Sequence, residues 1–146
     1  MNAVLSAECV ALAPTPASLG NAMKLLTHSQ APTSTEGVLT VDNAADVRNL
    51  SLDGVQRIDL HFPKFADGRA FSQAVLLRRR LGFKGAIRAT GDVLIDQLVQ
   101  MQRCGFSEAV LREDQYLAHG EALLRHFSGF YQGDQLQPRP PFARAA

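Results

Sequence analysis

The stretch Arg57-Ile58-Asp59-Leu60-His61-Phe62, stopped by Pro63, decides the fold. Ile58, Leu60 and Phe62 alternate with Arg57, Asp59 and His61. This is the period of a β-strand with one apolar and one polar face. Downstream, Gly85-Ala86-Ile87-Arg88-Ala89-Thr90 repeats the pattern, with Ile87 and Ala89 opposing Arg88 and Thr90. Upstream, in Gly37-Val38-Leu39-Thr40-Val41, Leu39 and Val41 oppose Thr40 and Asp42. A fourth strand spans Phe106 to Arg112, where Ala109 and Leu111 oppose Val110 and Arg112.

Helical patterns lie between and after these strands. A short helix is expected from Asp42 to Leu50, and another from Arg69 to Leu81, ended by Gly82. A third runs from Asp92 to Cys104, stopped by Gly105, and a last one from Asp114 to Phe127. Asp92 and Asp114 occupy positions where N-cap residues belong. Ala74, Leu77 and Leu81 recur at helical spacing, as do Leu94, Leu98 and Met101, so each helix has one apolar stripe.

Strands alternating with helices imply right-handed crossovers and a parallel sheet. Helices on both faces of such a sheet would call for strands apolar throughout. These strands alternate instead, so all helices are expected on the apolar face. The reading is an α/β fold of four βα units, a parallel sheet resembling half of a (βα)8 barrel. Its other face collects Thr40, Asp42, Asp59, His61, Arg88, Thr90 and Arg112. That face needs cover from a second copy (a homodimer), another protein, the N-terminal segment or water. The alternative is a doubly wound, flavodoxin-like three-layer sheet, which would accommodate these charges poorly.

The 146 residues, 46% hydrophobic and 20% charged, suit one globular domain and exclude wholesale disorder, a collagen-like fibre and a disulfide-built miniprotein. Fifteen basic against fourteen acidic residues argue against a nucleic-acid partner. Cys9 and Cys104 form no disulfide framework and no four-cysteine zinc pattern, which fits a reducing, cytoplasmic setting and no metal site. No apolar run approaches the ~20 residues of a membrane span. The mildly apolar start, Ala3 to Ala13, lacks the basic region of an export signal, since the first cation is Lys24. Residues 1–36 read as a poorly ordered, Pro-, Ser- and Thr-rich segment with a turn around Ala22 to Leu26. Residues 37–132 form the single α/β domain, and 133–146, with three prolines, a flexible tail.

In parallel α/β folds, ligands sit at the carboxyl ends of the strands. The loop after the second strand, Phe62 to Arg69, is the longest and most polar. Lys64, Arg69, Arg88 and Arg112 are candidate ligand-binding residues for a small oxyanion, because guanidinium forks match oxyanion geometry. Asp67 and Asp92 are candidate acid/base groups, and His61 a candidate proton donor or a hydrogen-bonded structural histidine. Arg88 also has a structural reading, as the partner of Asp59 or Asp92. The run Arg78-Arg79-Arg80 spans too wide an arc of its helix to form one patch and reads as a solvated helix end. Cys104, at a helix C-terminus, reads as a buried spacer. No P-loop, dinucleotide fingerprint, nucleophile elbow or H-E-x-x-H is present, so the cofactor is unknown.

Phe62-Pro63-Lys64-Phe65-Ala66-Asp67-Gly68-Arg69-Ala70-Phe71-Ser72, then Leu81-Gly82-Phe83-Lys84-Gly85 and Arg88-Ala89-Thr90-Gly91-Asp92-Val93-Leu94, carry a family resemblance. It continues through Asp96-Gln97-Leu98 and Arg103-Cys104-Gly105-Phe106 to Phe130-Tyr131-Gln132. The chain resembles the bacterial family called domain of unknown function nine-three-four. The resemblance implies encoding beside sulfite reductase and other sulfate-assimilation genes, and an oxidoreductase or oxidoreductase-associated role in sulfite reduction. It also implies sulfite reductase or other sulfate-assimilation proteins as partners. It supplies no catalytic residues.

Overall fold

The computed structural model of the chain describes residues 23–143. Five parallel strands form one sheet: β1 (Lys24–Leu26), β2 (Val38–Val41), β3 (Arg57–Phe62), β4 (Ala86–Gly91) and β5 (Glu108–Val110). Their spatial order is β1-β5-β4-β3-β2. Three α-helices, α1 (Arg69–Arg79), α2 (Leu98–Cys104) and α3 (Leu117–His126), follow β3, β4 and β5. From β2 to β5 each strand lies beside its predecessor. A doubly wound sheet reverses strand order partway; this one does not.

Helix α1 contacts α2, and α2 contacts α3, so the helices form one layer in chain order. The buried core joins Ile58, Leu60, Phe62, Ile87, Ala89 and Ala109 of the strands to Ala70, Ala74, Leu77, Leu98 and Met101 of the helices. Phe62, Phe71 and Phe106 meet with ring centroids 5.3, 5.9 and 6.2 Å apart, the spacing of favourable aromatic pairs. In α3, a Cβ on Gly120 would meet Leu25 Cδ1 and Leu98 Cδ1 at 2.8 Å, and the bare backbone lets that helix lie close to the sheet.

The polar face carries a charged row. The register aligns Lys24, Glu108, Arg88, Asp59 and Thr40 across β1, β5, β4, β3 and β2. Arg88, only 3% exposed, pairs with Glu108 at 2.6 Å. Arg57 pairs with Asp59 at 2.8 Å. Opposite charges in neighbouring strands let a buried polar row persist where isolated charges would not. Because β1 and β2 lie at opposite edges, residues 27–37 must cross the sheet. They cross on the polar side, where Arg88 Nη1 donates to the Pro32 carbonyl (3.4 Å) and Arg57 Nη2 to the Ser34 carbonyl (3.3 Å).

The sheet is parallel and one-sided as the alternation predicts, with differences at its margins. A fifth strand, Lys24–Leu26, precedes residue 37, where the sequence reading begins the domain. Three residues with no alternation to display give no strand signal on their own. The helix expected from Asp42 to Leu50 is only a 3-10 turn, Val47–Asn49. Asp42 Oδ1 accepts from Ala44 N–H (2.8 Å) and Asp46 Oδ1 from Arg48 N–H (3.0 Å), local bonds that compete with helix formation. Gln73 Nε2 of α1 ties this loop down by donating to the carbonyls of Asp42 and Ala45, both at 2.9 Å. Asp92 and Asp114 are not helix caps: α2 is entered through a 3-10 turn, Ile95–Gln97, and α3 starts after Tyr116. Arg78 is half-buried rather than part of a solvated helix end; its guanidinium Nε and Nη1 donate to the carbonyls of Gly105, Phe83 and Gly85. In the expected C-terminal tail, Asp134 pairs with Arg103 (3.2 Å) and Gln135 N–H donates to the Arg103 carbonyl (3.1 Å). The readings of the export signal, of Cys9 and of order over residues 1–22 lie outside the described residues. Among the described residues no helix is long and apolar enough to cross a membrane.

Candidate functional site

The loops after β3, β4 and β5 meet at the carboxyl end of the sheet. Pro63 blocks continuation of β3 and releases the chain into the turn 64–68. Gly91 ends β4 with φ +92°, where a side chain would also collide with the Phe62 carbonyl and the His61 ring. That conformation turns the chain so that Asp92 N–H donates to the Phe62 carbonyl at 2.8 Å. Asp92 then bridges the loops. Its Oδ2 accepts from Phe65 N–H (2.8 Å), and its Oδ1 from Arg112 Nη1 (2.7 Å). Arg112 Nε and Nη2 take both oxygens of Asp114 at 2.6 Å. Gln97 Nε2 donates to the Phe65 carbonyl at 2.7 Å.

A second cluster stands beside it. Arg69 Nη2 and Nε grip the two oxygens of Asp67 at 2.7 and 3.0 Å. Asn43, a buried residue of the loop after β2, donates from Nδ2 to Asp67 Oδ2 at 2.6 Å. The bond from Arg69 is the main reason the Asp67 carboxyl is held at about 2. The Phe65 N–H, followed by Arg112, lowers Asp92, and Arg112 holds Asp114 at about 2. Asp114 and then Asp92 raise Arg112 further above the usual guanidinium range.

The predicted site residues separate into two places. Asp67 with Arg69, and Asp92 with Arg112, share the strand-end rim. Lys64 lies on the same loop, its side chain exposed and without a partner among the described residues. His61 is exposed at the end of β3, its ring packed along Gly91. Arg88 lies lower, in the charged row, committed to Glu108 rather than to Asp59 or Asp92. The expected clamp of Arg69, Arg88 and Arg112 is therefore not one cluster.

Sequence reasoning missed Phe65. The residue is 53% exposed while its N–H and carbonyl are both held by side chains, Asp92 and Gln97. Tyr116, 72% exposed two residues beyond Asp114, adds a second aromatic at this end, set edge-on to His119 at 5.5 Å. Phe65 stands between Lys64 and Ala66 in a loop without periodicity, so composition gave no reason to single it out.

The rim's chemistry is limited by its own pairing. Carboxylates held near 2 are poor proton carriers at neutral pH, because efficient acid/base groups titrate near the working pH. All three guanidinium nitrogens of Arg112 bind carboxylates, and Arg69 gives its Nε–Nη2 edge to Asp67, so among the described residues the outer Nη1–Nη2 edge of Arg69 is what these two arginines leave open to a small oxyanion. The arrangement fits a preformed surface: an exposed aromatic side chain on a hydrogen-bonded backbone, surrounded by charged loops tied to one another.

A family model described as a bacterial protein of unknown function (DUF934) matches residues 38–142. Neither a curated protein nor a solved structure matches the chain.

Proposed function

We propose a function for a chain that belongs to the bacterial protein family of unknown function DUF934: a cytoplasmic accessory protein of assimilatory sulfate reduction, docking on sulfite reductase through the carboxyl-end rim of its sheet. The sulfate-assimilation setting follows from the family resemblance. The docking mode rests on one observation, the exposed Phe65 ring on a backbone pinned at both N–H and carbonyl. A backbone already held in place loses little freedom on binding, so an exposed aromatic side chain mounted on it has the character of an interface anchor. The rim also carries Asp42, Asp46, Asp67, Asp92, Asp96, Glu113 and Asp114 against Arg48, Lys64, Arg69 and Arg112. This acidic balance favours a protein surface over a free oxyanion as occupant.

The experiment uses purified sulfite reductase and the full chain, with binding read by interferometry. The wild type is expected to bind, and Phe65→Ala to weaken binding by about tenfold or more, as for truncation of an interface anchor. Absence of binding, or equal binding by Phe65→Ala, contradicts the proposal. A thermal midpoint raised by sulfite and insensitive to Phe65→Ala would instead favour the oxyanion reading.

A further inference from the structure

Four arginines among the described residues are buried or half-buried: Arg57, Arg78, Arg88 and Arg103. Three have a carboxylate partner, in Asp59, Glu108 and Asp134. Arg78 has none. Its Nε donates to the Gly105 carbonyl (2.9 Å), and its Nη1 to the carbonyls of Phe83 (2.9 Å) and Gly85 (2.8 Å). The two Nη2 donors are unpartnered among the described residues and are not sealed from solvent. The Phe83 ring lies 5.8 Å from the guanidinium carbon. The cation is thus positioned by neutral groups on one edge and left open on the other. An uncompensated, partly desolvated charge costs free energy that an anion would recover.

Arg78 lines a cavity of about 490 Å³ at the amino end of the sheet, the end opposite the rim. That volume is within the range of small-molecule sites. Lys84 lines it too, exposed and without a partner among the described residues. Phe83, Phe106 and Leu136 supply apolar wall, and Ser107 stands beside them. Leu136 is held there by the tail, where Asp134 Oδ1 accepts from the Leu136 N–H (2.9 Å) and Asp134 pairs with Arg103. Among the described residues no carboxylate lines the cavity.

We propose that this cavity binds a small organic oxyanion, its charged head on Arg78 Nη2 and Lys84 and its apolar body along Phe83, Phe106 and Leu136. The site is separate from the docking rim and does not depend on it. Arg78 supplies a fixed fork edge and Lys84 a mobile point charge, a division that suits carboxylate, phosphate and sulfate heads alike.

The test is amide chemical-shift mapping on the full chain with three probes: phenyl phosphate, inorganic phosphate and phenol. Phenyl phosphate is expected to shift Gly85, Gly105 and Ser107 and to bind about tenfold tighter than phosphate, since it adds apolar burial to the same head. Phenol is expected to leave these amides unmoved. Lys84→Glu, at an exposed position, is expected to leave the thermal midpoint unchanged and to weaken phenyl phosphate by about tenfold or more. Arg78→Lys keeps the charge but loses the fork, and is expected to weaken binding with the chain still folded. No binding, shifts scattered over the surface, or equal binding by Lys84→Glu overturns the proposal. So does phenol binding as tightly as phenyl phosphate.

Discussion

Replacing Glu108 by leucine tests the charged row that the one-sided sheet places across its polar face. Glu108 is the acceptor for both Arg88 Nε (2.8 Å) and Nη2 (2.6 Å), and Arg88 is 3% exposed. Removing one member of a buried ion pair costs about 3–5 kcal/mol, because the remaining charge stays desolvated. Asp59, the register neighbour on β3, stands next to Arg88 but is already bound by Arg57 Nε and Nη2. Partial relief from Asp59 places the expected cost near the lower bound, about 3 kcal/mol. For a chain of this length that is about a 10 °C fall in thermal midpoint, at roughly 2–4 °C per kcal/mol. Urea unfolding of Glu108→Leu, Arg88→Met and the double variant gives the coupling directly. The double variant is expected to recover most of the loss, since an apolar pair of similar volume replaces the ion pair. A cost below about 1 kcal/mol for Glu108→Leu would refute a buried Arg88. A double variant as weak as the sum of the singles would refute the pairing.

Three further expectations follow from the geometry. Gly91→Ala should cost about 3 kcal/mol, from its positive φ and the contact with the Phe62 carbonyl, whereas Gly54→Ala, at φ +75° in open space, should cost only about 1; equal losses by urea unfolding would contradict the packing at Gly91. Asp67 and Asp114, held at about 2 against an ordinary value near 4, contribute stability that is present above about pH 4 and is lost as pH falls from about 4 toward 2; carboxyl NMR that finds either titrating above pH 5 would remove the pairing with Arg69 or Arg112. Spin labels at Lys24→Cys and Thr40→Cys, with Cys9 and Cys104 replaced by serine, should lie roughly four strand spacings apart, about 19 Å before label length; a separation under about 10 Å would place β1 beside β2 instead of beyond β5.

What could be read in the sequence was whatever a single strand declares alone. Ile58, Leu60 and Phe62 against Arg57, Asp59 and His61 state which side faces the helices, and they do so without a neighbour. Pairing between strands is different. That Arg88 meets Glu108, not Asp59 or Asp92, depends on the register of β4 against β5, which no local pattern encodes. The same holds for β1: Lys24-Leu25-Leu26 becomes a strand only because Glu108-Ala109-Val110 offers it an edge. Asp92 and Asp114 sit at plausible cap positions, yet the loop geometry turns both toward Arg112. In sequence Arg78 reads as one of three solvated arginines, and only the approach of Gly105 and Gly85 gives it carbonyls to bind. Asp67 and Arg69 were legible as neighbours because two residues of separation suffice for their bonds. Phe65 was not, since its significance lies in two bonds from residues 27 and 32 positions away.

The most direct test of the working face is amide shift mapping of the labelled chain as purified sulfite reductase is added. Line broadening and shifts are expected to concentrate on loops 62–68, 91–97 and 112–116, with the helix layer unaffected. Perturbation centred on α1, α2 or the amino end of the sheet, or none at all, would contradict docking through the rim.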